Sequence, residues 1–283
     1  MVVLFQCTLS QSKTIQSLVT CCVHDSALAD QLSILVYDNS PMAQRFDALD
    51  WPFGQSEYRH DAANGGLAAA YNYALALAQD KGIDWLLLLD HDTVVGLELF
   101  STLMRQIAAP IPASVCAIVP KLVQHQTVIS PQIVGKFRNH SVAPTFSGVS
   151  SRPVTALNSG ACLRVKAVMG IGAFPQEYWL EYLDHIMFSR LQGGGGQIVV
   201  LDVTIQHRLS LLNLEGEMSA ERYANVLSAE WLFVRETAWA WGPLVHRLRL
   251  LKRGLSHYIK LRDKSYALRA LRSAFSKTTS VCR

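Results

Sequence analysis

Short apolar runs alternate with longer amphipathic segments over the first 120 residues of the chain. Residues 33–37 form a run typical of a buried strand, whereas residues 66–79 repeat apolar side chains at helical spacing. The pattern predicts strands at 2–5, 33–37, 57–59, 85–90 and 115–119, and helices at 12–22, 66–79 and 97–108. This alternation indicates an α/β protein with a mostly parallel sheet covered by helices on both faces.

The alternation ends at residue 120. Residues 120–156 contain four prolines among scattered Ser and Gly, so we expect an irregular segment on the surface. Order returns at residues 156–164. An acidic helix is then predicted from about residue 177 to Gly193, where glycine ends it, and a last strand at 198–201.

The chain beyond Ser219 is predicted to be entirely helical, with a break at Gly242-Pro243. From residue 244 onward there are eleven Lys and Arg against one acid, Asp263, whereas residues 1–243 hold fifteen bases and twenty-one acids. Apolar residues recur at helical spacing between these bases. The pattern is typical of a helical cap packed on the body, and equally of a helix lying on an anionic membrane surface. Because the body is acidic, we expect no nucleic-acid partner.

Composition and cysteine usage indicate a reduced compartment. Half of the 283 residues are hydrophobic and 17% are charged, which suits a globular protein of one large or two modest domains. The six cysteines show no paired spacing, and no signal sequence precedes the first strand. We therefore expect a cytoplasmic protein, peripheral on the inner face of the membrane if its terminal helices contact lipid. No uncharged window of the C-terminal segment is long enough to cross a bilayer.

Two carboxylates, Asp90 and Asp92, end the strand predicted at 85–90. Open α/β sheets bind ligands at the carboxyl edge of their strands, and two hard oxygen ligands suit a divalent cation that carries substrate phosphates. Asp is also common in turns, so a solvated strand end is the alternative.

Two further segments offer groups for ligand binding. Asp38 ends the strand predicted at 33–37, where its carboxylate can accept a hydrogen bond from a pyrimidine imide or form an Asx turn. Gly65 and Gly66 start a helix within NGGLAAAYN, and close backbone approach at a helix N-terminus favours phosphate. A glycine-rich turn with Asn64 as the cap is the alternative. The segment is not GxGxxG, which argues against an ordinary dinucleotide fold.

Residues for proton transfer and metal binding are expected in the second half. Glu181 and Asp184 (EYLD) are predicted on one face of the acidic helix, three residues apart. Either one can act as a general base, or the pair can serve the helix dipole. His207 follows the last strand and can offer an imidazole to the same cation, although a lone histidine at a strand end is often structural.

Seven motifs occur in an order that resembles glycosyltransferase family 2, and within it the bacterial rhamnosyltransferase-like branch. In chain order they are VVLF, VYDNS, NGGLAAAYN, LLLLDHD, NSGACLR, GAFPQEYWLEYLDHIMFSRL and TIQH, which together cover roughly residues 2–210. The resemblance implies a GT-A fold with residues 1–215 as the catalytic domain and residues 216–283 as a helical, basic extension. It also implies a nucleotide-diphosphate sugar donor, a saccharide or lipid-linked saccharide acceptor in cell-surface polysaccharide synthesis, and Mg²⁺ or Mn²⁺.

The resemblance also assigns residues to the donor and the metal. Asp38 is similar to the family's base-reading acid. Asp90 and Asp92 look like its DxD motif, with Asp92 the more direct metal ligand, and His207 looks like its late histidine ligand. Gly160 lies in the small-residue segment that usually lines the donor or acceptor side. The glycine-rich segment supplies the remaining donor-site candidates: Asn64, Gly65, Gly66 and Asn72.

One departure concerns the base. Many members carry Glu-Asp at this position, whereas this chain has Glu181-Tyr182 with Asp184 two residues later. An acid-Tyr-x-Asp pattern is frequent in the rhamnosyl-like branch, and we favour Asp184 over Glu181. The expected reaction inverts the anomeric carbon in one displacement. A nucleotidyltransferase of related fold and a non-catalytic sugar-nucleotide-binding relative are the alternatives.

Overall fold

The computed structural model describes residues 1–207, 218–237 and 240–276. The strand that ends at Asp90 joins its two larger sheets. It is divided into β4 (Trp85–Leu87) and β5 (Leu89–Asp90). The first sheet is parallel, with β5 at one edge beside β1 (Val2–Leu4), β2 (Ser33–Asp38) and β3 (Gln55–His60) in the order β3-β2-β1-β5.

The second sheet is mixed. It is formed by β4 with β6 (Val115–Gln124), β10 (Gly148–Val149), β12 (Cys162–Arg164) and β13 (Gln197–Gln206), in the order β10-β13-β6-β12-β4. Strand β13 is parallel to β6, whereas β12 is antiparallel to both β4 and β6. Strands β4, β6 and β13 therefore run in one direction and end at the same edge.

Helices cover both faces of the parallel sheet, as the sequence predicted. The body helices are α1 (Lys13–His24), α2 (Ser26–Gln31), α3 (Gly66–Asp80), α4 (Leu97–Ala108), α5 (Val165–Gly170) and α6 (Leu183–Gly193), with a short 3₁₀ helix at Ala48–Asp50. Alternate side chains of β2 enter different cores: Leu35 packs with α3 and α6, and Val36 packs with α1 and α4. The short helices α2 and α5 were not predicted.

Residues 120–156 are less irregular than predicted. Strand β6 continues through Pro120, and the segment adds β7 (Thr127–Ser130), β8 (Gln132–Ile133), β9 (His140–Ser141) and β11 (Val154–Thr155). Strands β11, β8 and β9 form a small antiparallel sheet. Pro120 is tolerated because it follows the last β12 pair, at Ile118, and lies at an irregularity in the pairing with β13.

The described residues beyond position 218 are largely helical, as predicted. They form α7 (Ala220–Thr237), α8 (Gly242–Lys260) and α9 (Ser265–Phe275), and the break between α8 and α9 was not predicted. They share a core that contains Tyr223, Trp231, Leu250 and Tyr266. The predicted domain boundary at residue 215 lies outside the described residues, and the two-domain division stays a prediction. Within the described part of the chain, we find no helix with both the length and the apolar character of a membrane span.

Ion pairs attach the C-terminal helices to the body. Arg222 of α7 donates to Glu181 at 2.9 Å, and Glu236 accepts from Arg190 of α6 at 2.7 Å. Phe233 of α7 packs against the rings of Tyr182 and His185, with centroids 5.5 and 6.1 Å apart. The C-terminal helices therefore pack on the body as a cap, with α7 making these contacts.

Candidate active site

The turn that carries Asp90 and Asp92 is held by the start of α1. Strand β1 pairs with β5 so that Val3 faces Asp90, which places the turn at the carboxyl edge of the parallel sheet. Ser12 caps α1, and its hydroxyl donates to the His91 carbonyl at 2.8 Å. The buried hydroxyl of Thr14 contacts the Thr93 carbonyl at 2.7 Å and also the Asp90 carbonyl. The backbone of this turn is thus fixed by hydrogen bonds independently of its carboxylates.

Three potential metal ligands converge at this edge. His207 follows β13, and its backbone N–H donates to the Val123 carbonyl at 3.0 Å. Ligand atoms of Asp90, Asp92 and His207 all lie within 4.8 Å of one another. Asp92 is exposed and the other two are half-buried, so the cluster opens to solvent on one side. Two carboxylates and an imidazole suit Mg²⁺ or Mn²⁺.

The electrostatics of Asp90 also fit a cation. Burial raises the pKa of Asp90, and the neighbouring Asp92 carboxylate raises it further, while His207 opposes both effects. A positive charge beside such a carboxylate stabilises its ionised form. The donor set and its charge therefore fit the predicted metal.

Tyr71 lies beneath the cluster and was not predicted as a site residue. Its side chain is fully buried, and its pKa lies well above the usual range because of burial and the negative charges of Asp90 and Asp184. The hydroxyl of Tyr71 lies beside the side chain of buried Asn158, and the hydrogen bond from Asn158 opposes this rise in pKa. No pattern in the sequence marks Tyr71 as a site residue, because it also fits the apolar stripe of α3.

Asp38 is completely buried, and its carboxylate is bound by groups of the following loop and of β3. Its carboxylate accepts from the Ser40 amide at 2.9 Å, from Gln44 Nε2 at 2.8 Å and from the Tyr58 hydroxyl at 2.7 Å. Burial alone raises the pKa of Asp38, but the hydrogen bonds from Ser40, Tyr58 and Gln44 outweigh it, and the pKa is lowered. The acid is at the carboxyl edge, as expected. Its contact with a donor base stays a prediction.

The paired glycines accommodate a tryptophan. Gly66 has φ +79°, and a Cβ there would lie 2.3 Å from the Trp179 carbonyl oxygen. That carbonyl accepts from the first amides of α3, Leu67 N at 2.9 Å and Ala68 N at 3.4 Å, and the Trp179 indole donates to the Asn64 carbonyl at 3.0 Å. Protein groups therefore occupy the helix N-terminal amides that were predicted to bind phosphate. Gly65 donates to Asp61 at 2.9 Å.

We expect Gly66→Ala to lower the free energy of unfolding by about 3 kcal/mol, since it adds overpacking against Trp179 to left-handed strain. Gly82→Ala is the matched control, because Gly82 also has positive φ (+67°) but a Cβ there would meet nothing within 4 Å. It should lose only about 1 kcal/mol. Urea unfolding of both variants measures the difference. Equal losses would mean that the contact with Trp179 contributes nothing.

Two other donor-site candidates have structural partners. The Asn72 side chain donates to the Phe174 carbonyl at 2.8 Å and accepts from the Phe174 amide at 2.9 Å, which fixes the segment before Trp179. Gly160 has φ +81°, donates to the Leu88 carbonyl at 2.8 Å, and lies so close to Pro120 that a Cβ would be 2.8 Å from its Cγ. Contacts of Asn72 and Gly160 with a donor stay predictions.

The predicted helical pairing of Glu181 and Asp184 is wrong. Helix α6 begins at Leu183, so Glu181 precedes it, and Tyr182 takes a left-handed conformation (φ +63°) between the two acids. The side chains consequently have different environments. Glu181 is bound by Arg222, whereas Oδ1 of Asp184 accepts from the His185 amide at 2.7 Å. Burial raises the pKa of Glu181, the Arg222 charge lowers it, and the nearby Asp184 charge raises it again.

A cavity of about 320 Å³ lies beside these acids. Glu181, Asp184 and His185 line it from the body, and the C-terminal helices complete it with Tyr223, Val226, Glu230, Arg253 and His257. Arg253 is held there by a bidentate ion pair with Glu230, at 2.7 and 3.0 Å. The sequence did not predict that the C-terminal helices line this cavity, because the residues that meet there are far apart in the chain.

The chain has the GT-A fold, as the sequence predicted, and its structural neighbours are glycosyltransferases. The crystal structure of S. aureus TarS 1–349 matches with a TM-score of 0.55 and 14% identity, covering 96% of this chain and 79% of that one. A structure of GalNAc-T7 with UDP, GalNAc and Mn²⁺ matches with a TM-score of 0.54 and 13% identity, covering 98% of this chain and 55% of that one.

A TarS 1–349 complex with UDP-GlcNAc matches with a TM-score of 0.55 and 14% identity, over 96% of this chain and 79% of that chain. The present chain spans about half of GalNAc-T7 and 49% of a longer TarS chain. At these identities the likeness establishes the fold and leaves the reaction open. No protein-family model and no curated protein sequence matches the chain.

Proposed function

We propose that the protein is an inverting, metal-dependent glycosyltransferase. It moves a sugar from a nucleotide-diphosphate donor to a hydroxyl of a saccharide or lipid-linked saccharide during cell-surface polysaccharide synthesis. The observation that supports this most is the convergence of Asp90, Asp92 and His207 at the ligand-binding edge of a GT-A fold. The resemblance to the rhamnosyltransferase-like branch favours rhamnose or another deoxyhexose as the sugar.

Asp92 and His207, with Asp90 beside them, would hold Mg²⁺ or Mn²⁺. When bound, such an ion neutralises charge on the leaving diphosphate, which contributes several kcal/mol. The hydrogen bonds from Ser12 and Thr14 keep the turn in place before the donor binds. UDP and UDP-sugar complexes of the fold neighbours support a uridine-type donor.

Asp184 is the residue that we assign as the general base. Glu181 is the weaker candidate because Arg222 binds its carboxylate and its side chain is 11% exposed. Asp184 lines the cavity with one oxygen on its own helix, and the charges of Asp184 and Asp90 both act on Tyr71. A base in this position removes the proton of the acceptor hydroxyl as the oxygen attacks the anomeric carbon.

The cavity beside Asp184 is where we place the acceptor. It combines aromatic and charged side chains, among them Tyr223, His257 and Arg253, which suits a saccharide with apolar ring faces and polar edges. The C-terminal helices then contribute directly to acceptor binding, since they form one wall.

A panel of sugar nucleotides tests the proposal by thermal shift with and without Mn²⁺. A true donor at about a hundred times its Kd should raise Tm by roughly 5 °C, and the shift should depend on the metal. Product analysis then separates the alternatives. A glycosyltransferase releases a nucleoside diphosphate, a nucleotidyltransferase releases pyrophosphate, and a binding protein releases neither. Failure of every sugar nucleotide to shift Tm would contradict the proposal.

A further inference from the structure

Helix α8 presents a row of large apolar side chains to solvent. With Trp241 just before its first turn, the row recurs every three, four or seven positions and follows one face of the helix. The exposed fractions lie between 50% and 81%, and the residues are Trp241, Leu244, Leu248, Leu255, Tyr258 and Ile259. We call this set the α8 stripe.

The α8 stripe is separate from the face that packs on the protein. Gly242, His246, Leu250 and Gly254 form the buried face, at intervals of four residues. Gly254 allows α9 to approach so closely that a Cβ would lie 2.6 Å from Leu271. Because the packing contacts of α8 are already made on this side, the stripe is not needed to hold the helix in place.

Basic side chains border the stripe. Arg247, Arg249, Lys252 and Lys260 are exposed, and α8 contains no acidic residue. At helical spacing, Arg249, Lys252 and Lys260 lie along one flank of the stripe and Arg247 along the other. Arg253 differs, because Glu230 neutralises it at the cavity. Arg247 lies over the Trp231 ring at 5.7 Å and Arg249 donates to the Phe137 carbonyl. Among the described residues, Lys252 and Lys260 are therefore the exposed bases of α8 that remain for an outside partner.

We propose that the α8 stripe docks on an anionic lipid bilayer. The apolar residues enter the boundary between headgroups and acyl chains, and the flanking bases contact anionic headgroups. A second copy of the chain fits less well, because symmetric pairing of two stripes would bring their basic flanks together. Helix α8 thus serves both as part of the cap and as a membrane contact, the two roles that its sequence left open. This inference does not depend on the reaction proposed above.

Co-sedimentation of the full chain with vesicles tests the proposal. We expect binding to vesicles of equal parts phosphatidylcholine and phosphatidylglycerol, and little binding to phosphatidylcholine alone. The double variant Leu248→Glu and Ile259→Glu should bind about a hundredfold more weakly, since two apolar anchors are lost. Lys252→Gln and Lys260→Gln should each weaken binding about fivefold, an effect that added salt removes.

The matched control is Val23→Glu with Met42→Glu, because these apolar residues are 70% and 79% exposed but lie outside α8. This control should bind vesicles like the unchanged protein, and the Tm of all variants should stay the same. The proposal is overturned if the unchanged protein stays in the supernatant, or if it binds both vesicle types equally. It is also overturned if Leu248→Glu with Ile259→Glu binds normally, or if sedimentation velocity shows a dimer that this double variant separates.

Discussion

Asp92→Asn should reduce sugar transfer about a thousandfold, since several kcal/mol of charge stabilisation depend on the ion that Asp92 would hold. Asparagine keeps the size of the side chain and removes its charge. Asp92 is exposed and the turn around it is fixed by Ser12 and Thr14, so the fold should be unaffected. Release of nucleoside diphosphate at saturating donor and Mn²⁺ measures the loss, and the metal-dependent part of the donor thermal shift should disappear with it.

Asp80→Asn is the control for Asp92→Asn. Asp80 is an exposed acid at the end of α3, which leads back to the amino edge of the sheet, away from the cluster. Its replacement removes the same charge and should leave turnover unchanged. Retention of more than a tenth of the activity by Asp92→Asn would remove this carboxylate from the metal site. Loss of activity in Asp80→Asn would show that overall charge accounts for the effect.

The parallel half of the fold could be predicted because its signals are local. Strands β1, β2 and the strand divided into β4 and β5 are short apolar runs, and α4 begins and ends at the predicted residues. The candidate metal site follows from the same logic. Parallel strands end at one edge, so Asp90 at the end of β5 and His207 after β13 lie close together although the chain separates them widely.

The remaining features depend on contacts that no local pattern records. The direction of β12 is set by pairing with β4 and β6, and the short strands of residues 120–156 are set by pairing with one another. Trp179 fills the space above Gly66 from a position far along the chain. In the sequence, the paired glycines are typical of a phosphate-binding loop, whereas in the fold Gly66 makes room for Trp179. Only the tertiary structure distinguishes these two uses of the same glycines.

The environments of the two acids at the base position, Glu181 and Asp184, could not be predicted from local sequence either. Three-residue spacing predicts one helical face, but left-handed Tyr182 separates Glu181 from the helix that holds Asp184. The partner of Glu181, Arg222, comes from α7, which the sequence assigned to a separate extension. Non-local charges, rather than spacing, therefore distinguish the two acids.

Asp184→Asn should lower the rate of sugar transfer about a thousandfold, within the range for loss of a general base, while binding of nucleotide and Mn²⁺ persists. Asparagine can still accept from the His185 amide, so the start of α6 should lose less than about 1 kcal/mol of helix-dipole stabilisation.

Glu181→Gln is the comparison that separates the two acids. It leaves Arg222, whose side chain is 37% exposed, without its anionic partner, which costs at most about 1 kcal/mol of stability. The transfer rate should fall less than tenfold, because the base is intact. The opposite result, a large loss in Glu181→Gln with a small loss in Asp184→Asn, would assign the proton to Glu181. In that case Arg222 would be the residue that positions the base, and α7 would be part of the catalytic machinery.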